Sequence, residues 1–310
     1  MTCVDPAYGW HGDMLDLDAY LARIGYHDDR VATYEVLQAL HYGHVTSIPF
    51  ENLDALLGVP VRLDLESVQH KLVASRRGGY CYEHVVLFAA ALERLGFSVT
   101  GLHGRVSRGS TTLRPTTHAL LAVRASDDER VWLCDVGFGS GPLEPIELAD
   151  GHEVSQEGWT FRLESHPAAL GTAQWKLYQL GQDDWDDRLT FTLTPHYMTD
   201  YAVGNHFVST HPKSPFAARI YAQSFSAEEH HVLEGTVLST YTPHGSCSHT
   251  TIEPEELRSL LEKCFAIDID ADDAAALTAI GQRQQTAPWQ PQSSGSTAAE
   301  GLQIGSGGSG

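Results

Sequence analysis

The segment Arg76-Arg77-Gly78-Gly79-Tyr80-Cys81-Tyr82-Glu83 sets a cysteine directly after a glycine-rich turn and at the head of an apolar run. A thiol at a helix start lies near backbone N–H groups that lack intrahelical partners and near the positive end of the helix dipole. Both favour the thiolate, so Cys81 is the candidate nucleophile. Among the other cysteines, Cys264 falls on the apolar stripe of a later helix, Cys134 in a strand and Cys3 in the N-terminal segment. A thiolate nucleophile needs a base. THALLAV and VWLCD have the pattern of a hairpin around residues 126–129, and a turn centred between Ser126 and Asp127 sets His118 opposite Asp135. A carboxylate at that position would hold the imidazole, which completes a nucleophile, a base and an orienter.

Asp135 also opens the phrase Asp135-Val136-Gly137-Phe138-Gly139-Ser140-Gly141. Its glycine-rich backbone could turn several N–H groups toward phosphate oxygens, although it matches neither the Walker nor the dinucleotide fingerprint. His244, Cys247 and His249 are of metal-ligating types, but they sit in a polar turn with no fourth ligand evident, and no metal is expected. His41 and His44, three apart near the end of a helix, are expected at the surface or in a helix-end contact.

The elements that must position these groups change character along the chain. Asp16 and Thr33 are placed to cap helices with apolar positions Leu17, Leu21 and Ile24, then Val36, Leu37 and Leu40. Val68, Leu72 and Val73 mark a third helix, and a fourth is predicted from Cys81 to Leu95, with Gly96 as its terminator. From Phe97 the texture becomes short β-branched and aromatic runs between turn residues, which predicts an antiparallel sheet or small barrel to about residue 195. The last part mixes strands with an amphipathic helix that Pro254 opens and a second helix near Asp272 to Ile280. The Ser/Gly/Gln-rich stretch after Ala287 cannot build a core.

Composition excludes several classes of function. The 310 residues, 42% apolar and 19% charged, suffice for a substantial core and for two or three subdomains. The longest apolar run, Val85 to Leu92, is too short for a membrane helix. The acidic start lacks the basic and apolar regions of a secretory signal, so no membrane association and a cytoplasmic location are expected. Five irregularly spaced cysteines do not make a disulfide framework. A formal charge of -20, from scattered acids, argues against nucleic acid as a partner.

Five segments together carry a specific resemblance: IPFENLD (48–54), RRGGYCYEH (76–84), THALLAV (117–123), DVGFG (135–139) and STHPKSPF (209–216). In this order and spacing the chain resembles the arylamine N-acetyltransferases of bacterial type, from roughly Leu15 to Ile280. The resemblance implies an α+β fold with a papain-like cysteine-enzyme core: a helical bundle (1–96), an antiparallel β-barrel (97–204) and an α/β lid (205–286), and the composition beyond them makes 287–310 a disordered tail. It implies acetyl-CoA as cosubstrate, no metal, and a small aromatic amine or hydrazine as acceptor. By position, Cys81 matches the acetylated nucleophile, His118 the base and Asp135 its partner. Phe138, with Phe50 and Phe207, is expected in the acceptor pocket. Gly139, Ser140, Gly141, Thr210, Lys213 and Ser214 are expected to hold coenzyme A, and Glu51 with Arg77 to brace the active-site loop. Val85 departs from the family, which commonly has Asn there. The alternatives on the same triad are an amide synthase of this family, releasing a polyketide, and a cysteine hydrolase.

Overall fold

The first third of the chain is helical, as its apolar spacing and caps dictate. In the computed structural model, which describes residues 9–285 except 109, 111, 112, 183 and 244, α1 spans Leu17–Arg23 and α2 Tyr34–Ser47. Asp16 caps α1 by accepting from Ala19 N at 3.0 Å, and Thr33 caps α2 by accepting from Val36 N at 3.4 Å. Two short helices follow, α3 (Leu53–Leu57) and α4 (Leu65–Gln69), and α4 runs into a π-helical turn at His70–Ala74. The fourth predicted helix is α5, Cys81–Leu95, closed by Gly96 at φ 93°. Every residue of α5 from Cys81 to Leu92 is buried, the signature of a helix enclosed on all sides. It packs in one apolar cluster with α1, α2 and the turn before it.

The middle of the chain forms an eight-stranded antiparallel sheet. Its strands are β2 (Ser98–Val106), β3 (His118–Arg124), β4 (Trp132–Cys134), β5 (Ile146–Glu147), β6 (Glu153–Gln156), β7 (Trp159–Pro167), β8 (Ala173–Leu180) and β9 (Trp185–Phe191). They lie in the order β5-β4-β3-β2-β9-β8-β7-β6. The sheet curls until its two edges nearly meet, where the Gln156 amide clasps Glu144, accepting from its N–H at 3.1 Å and donating to its carbonyl at 3.0 Å. Leu102, Leu120, Leu133, Phe161, Leu163 and Leu189 fill the interior.

A second sheet joins distant parts of the sequence. Its first strand, β1 (Phe50–Glu51), comes from the helical third and pairs with β10 (Tyr221–Phe225). Beyond β10 lie β11 (His230–Glu234), β12 (Val237–Tyr241) and β13 (Cys247–Thr251) in antiparallel order. Two helices, α7 (Leu257–Phe265) and α8 (Ala271–Gln285), pack on this sheet over a third apolar cluster. The remaining helix, α6 (Met198–Thr210), runs across the expected boundary at residue 204, which therefore falls inside a helix. The expected tail lies outside the described residues.

Candidate active site

Cys81 is the first residue of α5, and the chain before it is pinned from several directions. Gly79 N donates to Pro49 O at 3.3 Å and Glu51 N donates to Gly79 O at 2.8 Å, so the glycine turn is stitched to β1. Glu83, at the third position of α5, reaches back to accept from Tyr80 N at 3.0 Å, a capping contact that fixes the helix start. His84, buried one residue further on, faces Pro49 O at 3.3 Å and Gly79 O at 3.1 Å with Nε2.

The expected Glu51–Arg77 pair is present, at 2.7 Å, and belongs to a larger buried cluster. Arg77 also pairs with Asp54 at 3.1 Å, and Lys71, from the π-helical turn, lies 2.8 Å from both Asp54 and Glu83. Burial, reinforced by the Glu51 charge, pushes the Glu83 carboxyl up to about 7 in spite of Lys71. The spacing of Glu83 from the helix start is the sequence signal for its capping role. Lys71 and Asp54 carry no such signal, because only the fold brings their segments together.

His118 opens β3 and meets Asp135 just past the end of β4, with Nε2 2.9 Å from Oδ1. The ladder differs from the expected register. It pairs Leu121 with Cys134, Ala122 with Leu133 and Val123 with Trp132, so the turn is centred between Asp127 and Asp128. His118 and Asp135 are thus diagonal rather than opposite. The displacement is two residues, which preserves the face of the sheet, and the two side chains still meet.

Cys81, His118 and Asp135 are 5%, 4% and 1% exposed, so their charges act with little water between them. Burial disfavours charge on His118, but Asp135 and the neighbouring Cys81 sulfur outweigh it and raise its pKa to about 10. With Nε2 committed to Asp135, Nδ1 is the nitrogen left for Cys81. The Cys81 thiol is also 3.7 Å from Thr117 O. Gly137 makes this convergence possible, since a Cβ there would stand 2.6 Å from Cys81 Cα. Asp135 Oδ2 is buried with no hydrogen-bond partner among the described residues, and Val85, where the resemblance expects Asn, is wholly buried.

The other expected site residues divide. Phe138 comes to the triad, its ring edge-on to His118 at a centroid distance of 5.2 Å. Phe50 is buried and packs on Phe216 at 5.6 Å, which in turn stacks on Tyr80, the residue before Cys81. Phe207 stacks on His211 at 4.4 Å, and no ring contact links it to the triad among the described residues. Several expected coenzyme donors are already engaged: Ser140 Oγ accepts from Arg188 at 2.5 Å, Thr210 Oγ1 donates to His206 O at 2.5 Å and Ser214 Oγ donates to Val208 O at 2.5 Å. Ser140, Gly141 and Ser214 are buried, and Gly139, at φ 83°, packs against Gln223. The glycines of this loop are closely packed, and Thr210 and Lys213 are the exposed members of the set.

His41 and His44, expected at the surface or in a helix-end contact, are wholly buried. The helical face that holds Val36, Leu37 and Leu40 continues through them, and this pattern was the available signal. On the second sheet Cys247 Sγ lies 3.3 Å from His249 Nε2, whereas His244 is outside the described residues.

The sequence and the fold match known proteins. Residues 33–274 match the family model described as N-acetyltransferase. An arylamine N-acetyltransferase of Mycolicibacterium smegmatis is 35% identical over 261 residues, covering 82% of this chain and 93% of the relative. The crystal structure of the Nocardia farcinica arylamine N-acetyltransferase superposes with a TM-score of 0.86 at 56% identity, covering 88% of this chain and 97% of that one. The Mycobacterium marinum enzyme in complex with CoA superposes with a TM-score of 0.80 at 33% identity, over 86% and 99% of the two chains. By its sequence and by its fold, the chain belongs to the arylamine N-acetyltransferase family.

Proposed function

We propose that this enzyme acetylates arylamines and arylhydrazines from acetyl-CoA by a ping-pong route through an acetyl group on Cys81. The observation that carries the reading is the Cys81–His118–Asp135 constellation at the start of a buried helix. In the first half-reaction Cys81 Sγ attacks the thioester carbonyl, its proton passes to His118, and coenzyme A leaves as the thiol after taking that proton. One thioester replaces another, so the step is near thermoneutral by chemical symmetry. In the second, the amine nitrogen attacks the acetyl carbonyl, His118 accepts the N–H proton, and the Cys81–acetyl bond breaks as the amide forms. Asp135 fixes the imidazole tautomer and stabilises its cation.

The Cys81 backbone N–H, among the helix-start donors without an intrahelical acceptor, is the first candidate to stabilise the oxyanion. In this reading the bundle presents the nucleophile, the barrel presents the base and its orienter, and the third part serves as the lid. Lys213 and the Gly139 backbone are the candidates for contact with coenzyme A, and Phe138 for contact with the acceptor. The enzyme acts on small molecules in the cytoplasm.

Intact mass spectrometry tests the reading. Acetyl-CoA alone should add one acetyl group, peptide mapping should place it on Cys81, and an arylamine should remove it. A label on Cys134 or Cys247, or one that persists in Cys81→Ala, refutes the route.

A further inference from the structure

A cavity of about 490 Å³ lies between α1 and the π-helical turn that continues α4. Among the described residues, none of the triad and none of the expected coenzyme set lines it. Arg23, Arg76, Asp16 and Glu66 belong to its walls. Arg23 is 7% exposed, and its Nε and Nη1 donate to neutral carbonyls, Leu72 O at 3.0 Å and Ser47 O at 2.6 Å. Burial and the like charge of Arg76 lower Arg23 to about 10. Other arginines nearby find acids, Arg62 with Asp64 at 2.8 Å and Arg77 with Glu51 at 2.7 Å, but among the described residues no ion pair forms across this cavity. Asp16 is occupied otherwise: its carboxylate caps α1 and its N–H donates to Gln69 Oε1 at 2.6 Å. Two cations held near each other, one of them buried, are costly unless an anion joins them.

The backbone beside the cavity is unusual as well. Arg76 takes φ 52°, in the left-handed region that side chains rarely adopt, one residue before Arg77 and its glycine turn. The π-helical turn that precedes it is a rare element, met mostly at functional sites. It closes with Ser75 N donating to His70 O at 2.8 Å and Arg77 N to Lys71 O at 3.1 Å. Arg23 holds this turn through Leu72 O and the end of α2 through Ser47 O, two residues before the Pro49 carbonyl on which Gly79 hangs. The cavity and the loop that carries Cys81 therefore share one run of backbone.

We propose that this cavity binds a phosphate monoester of a small hydroxyl-bearing molecule, of the sugar phosphate type, and that its occupancy holds the turn leading to Cys81. Arg23 and Arg76 together match the two charges of a monoester and offer planar forks to its oxygens. A carboxylate would leave one of the two charges unmet. Asp16 and Glu66 are acceptors for hydroxyl groups on the rest of the ligand and repel a second anionic end, while Ala19, Ala22 and Val73 give an apolar wall for its carbon skeleton. The cavity is far larger than a phosphate ion, so the body of the ligand contributes to binding. An acidic chain can hold such an anion because the charge that matters is local.

Calorimetry and thermal unfolding of the whole chain test this at constant ionic strength, with glucose 6-phosphate and ribose 5-phosphate as probes against glucose, ribose and inorganic phosphate. The sugar phosphates should bind saturably and raise Tm, inorganic phosphate should bind about tenfold more weakly, and the free sugars should not bind measurably. These comparisons need no variant to fold. Arg76→Met should weaken the sugar phosphates by about tenfold, Arg76→Lys by less, and Arg76→Glu should abolish binding. Hydrogen exchange in the bound protein should slow at the Ser75 and Arg77 amides, which close the turn. No saturable binding of either sugar phosphate to the unmodified protein, equal binding of the free sugars or of inorganic phosphate, or exchange unchanged at those two amides overturns the proposal. So does an affinity unmoved in Arg76→Glu, and competition with coenzyme A in that variant would then assign the phosphate to the coenzyme site.

Discussion

Three buried histidines of the helical bundle and one of the barrel, His118, are pushed in opposite directions. In the helical bundle, burial lowers His41 and His84 to about 4 and holds His44 well below its ordinary value. In the barrel, His118 is equally enclosed and rises to about 10. The difference is a carboxylate at 2.9 Å. The bundle rings bond to neutral groups only. Tyr20 OH lies 2.9 Å from His44 Nδ1, and His44 Nε2 lies 2.9 Å from His84 Nδ1. His84 Nε2 faces two carbonyls and must donate, which leaves Nδ1 as acceptor, so the chain of donors runs one way from Tyr20 through His44 to the Pro49 and Gly79 carbonyls. Burial alone makes a histidine a neutral structural connector, whereas burial beside a fixed acid makes it a proton carrier.

The strongest way to break this contrast is to remove the acid. Asp135→Asn should keep the fold and turn His118 into a histidine of the bundle kind, unable to hold a proton. Acetyl-enzyme formation should then fall by ~10⁴, the size of the corresponding loss in serine triads. Near-normal turnover in a folded variant would show that the His118 environment does not depend on its partner.

A second, smaller effect separates the two sets by pH. The bundle histidines are neutral when folded and take up protons from about 6.5 downward when unfolded, so stability should fall as pH drops from 6.5 toward 4. The expected loss by pH 5 is on the order of 1 to 2 kcal/mol per histidine. Glu83, raised to about 7, opposes this over part of the range, because it favours the folded state at low pH. His118 has the reverse sign to the bundle set: its contribution is complete below 6.5 and is lost as pH rises toward 10. Urea midpoints across this range should therefore fall on both sides, with His84→Gln flattening the acid side and Asp135→Asn the alkaline side. Parallel curves for these two variants would contradict the assignment.

The smallest expected effect concerns the oxygen that Asp135 leaves unpaired. Val85→Asn sets an amide in the bundle interior and should cost ~1 to 3 kcal/mol if the amide finds no partner, with little change in rate. A melting temperature that holds or rises, together with a changed acetylation rate, would show instead that the amide reaches Asp135 Oδ2 and acts on the triad.

The parts of this contrast that could be read in the sequence are those with local signals. The boundaries of α5 follow from Gly79 before it and Gly96 after it, and the caps of α1 and α2 from Asp16 and Thr33. The pairing of His118 with Asp135 survived an error in register because an even displacement keeps both side chains on one face. His41 and His44 are polar residues on the apolar face of α2, and the face rather than the polarity decides their burial. Lys71 and Asp54 were not legible, since each acquires its role only when turns distant in sequence meet. The loop glycines carry two signals in one pattern, since the absence of Cβ at Gly137 and Gly139 also serves close packing on Cys81 and Gln223.

The Gln156 amide closes the eight-stranded sheet by gripping one residue, Glu144, from both sides. Its consequence lies outside catalysis, in how this chain meets other copies of itself at high concentration. An open sheet presents a row of unpaired backbone groups onto which a foreign strand can add. Here the edge strands are short, Ile146–Glu147 on one side and Glu153–Gln156 on the other, and the clasp draws them together. A single side chain thus turns the template for aggregation in upon itself.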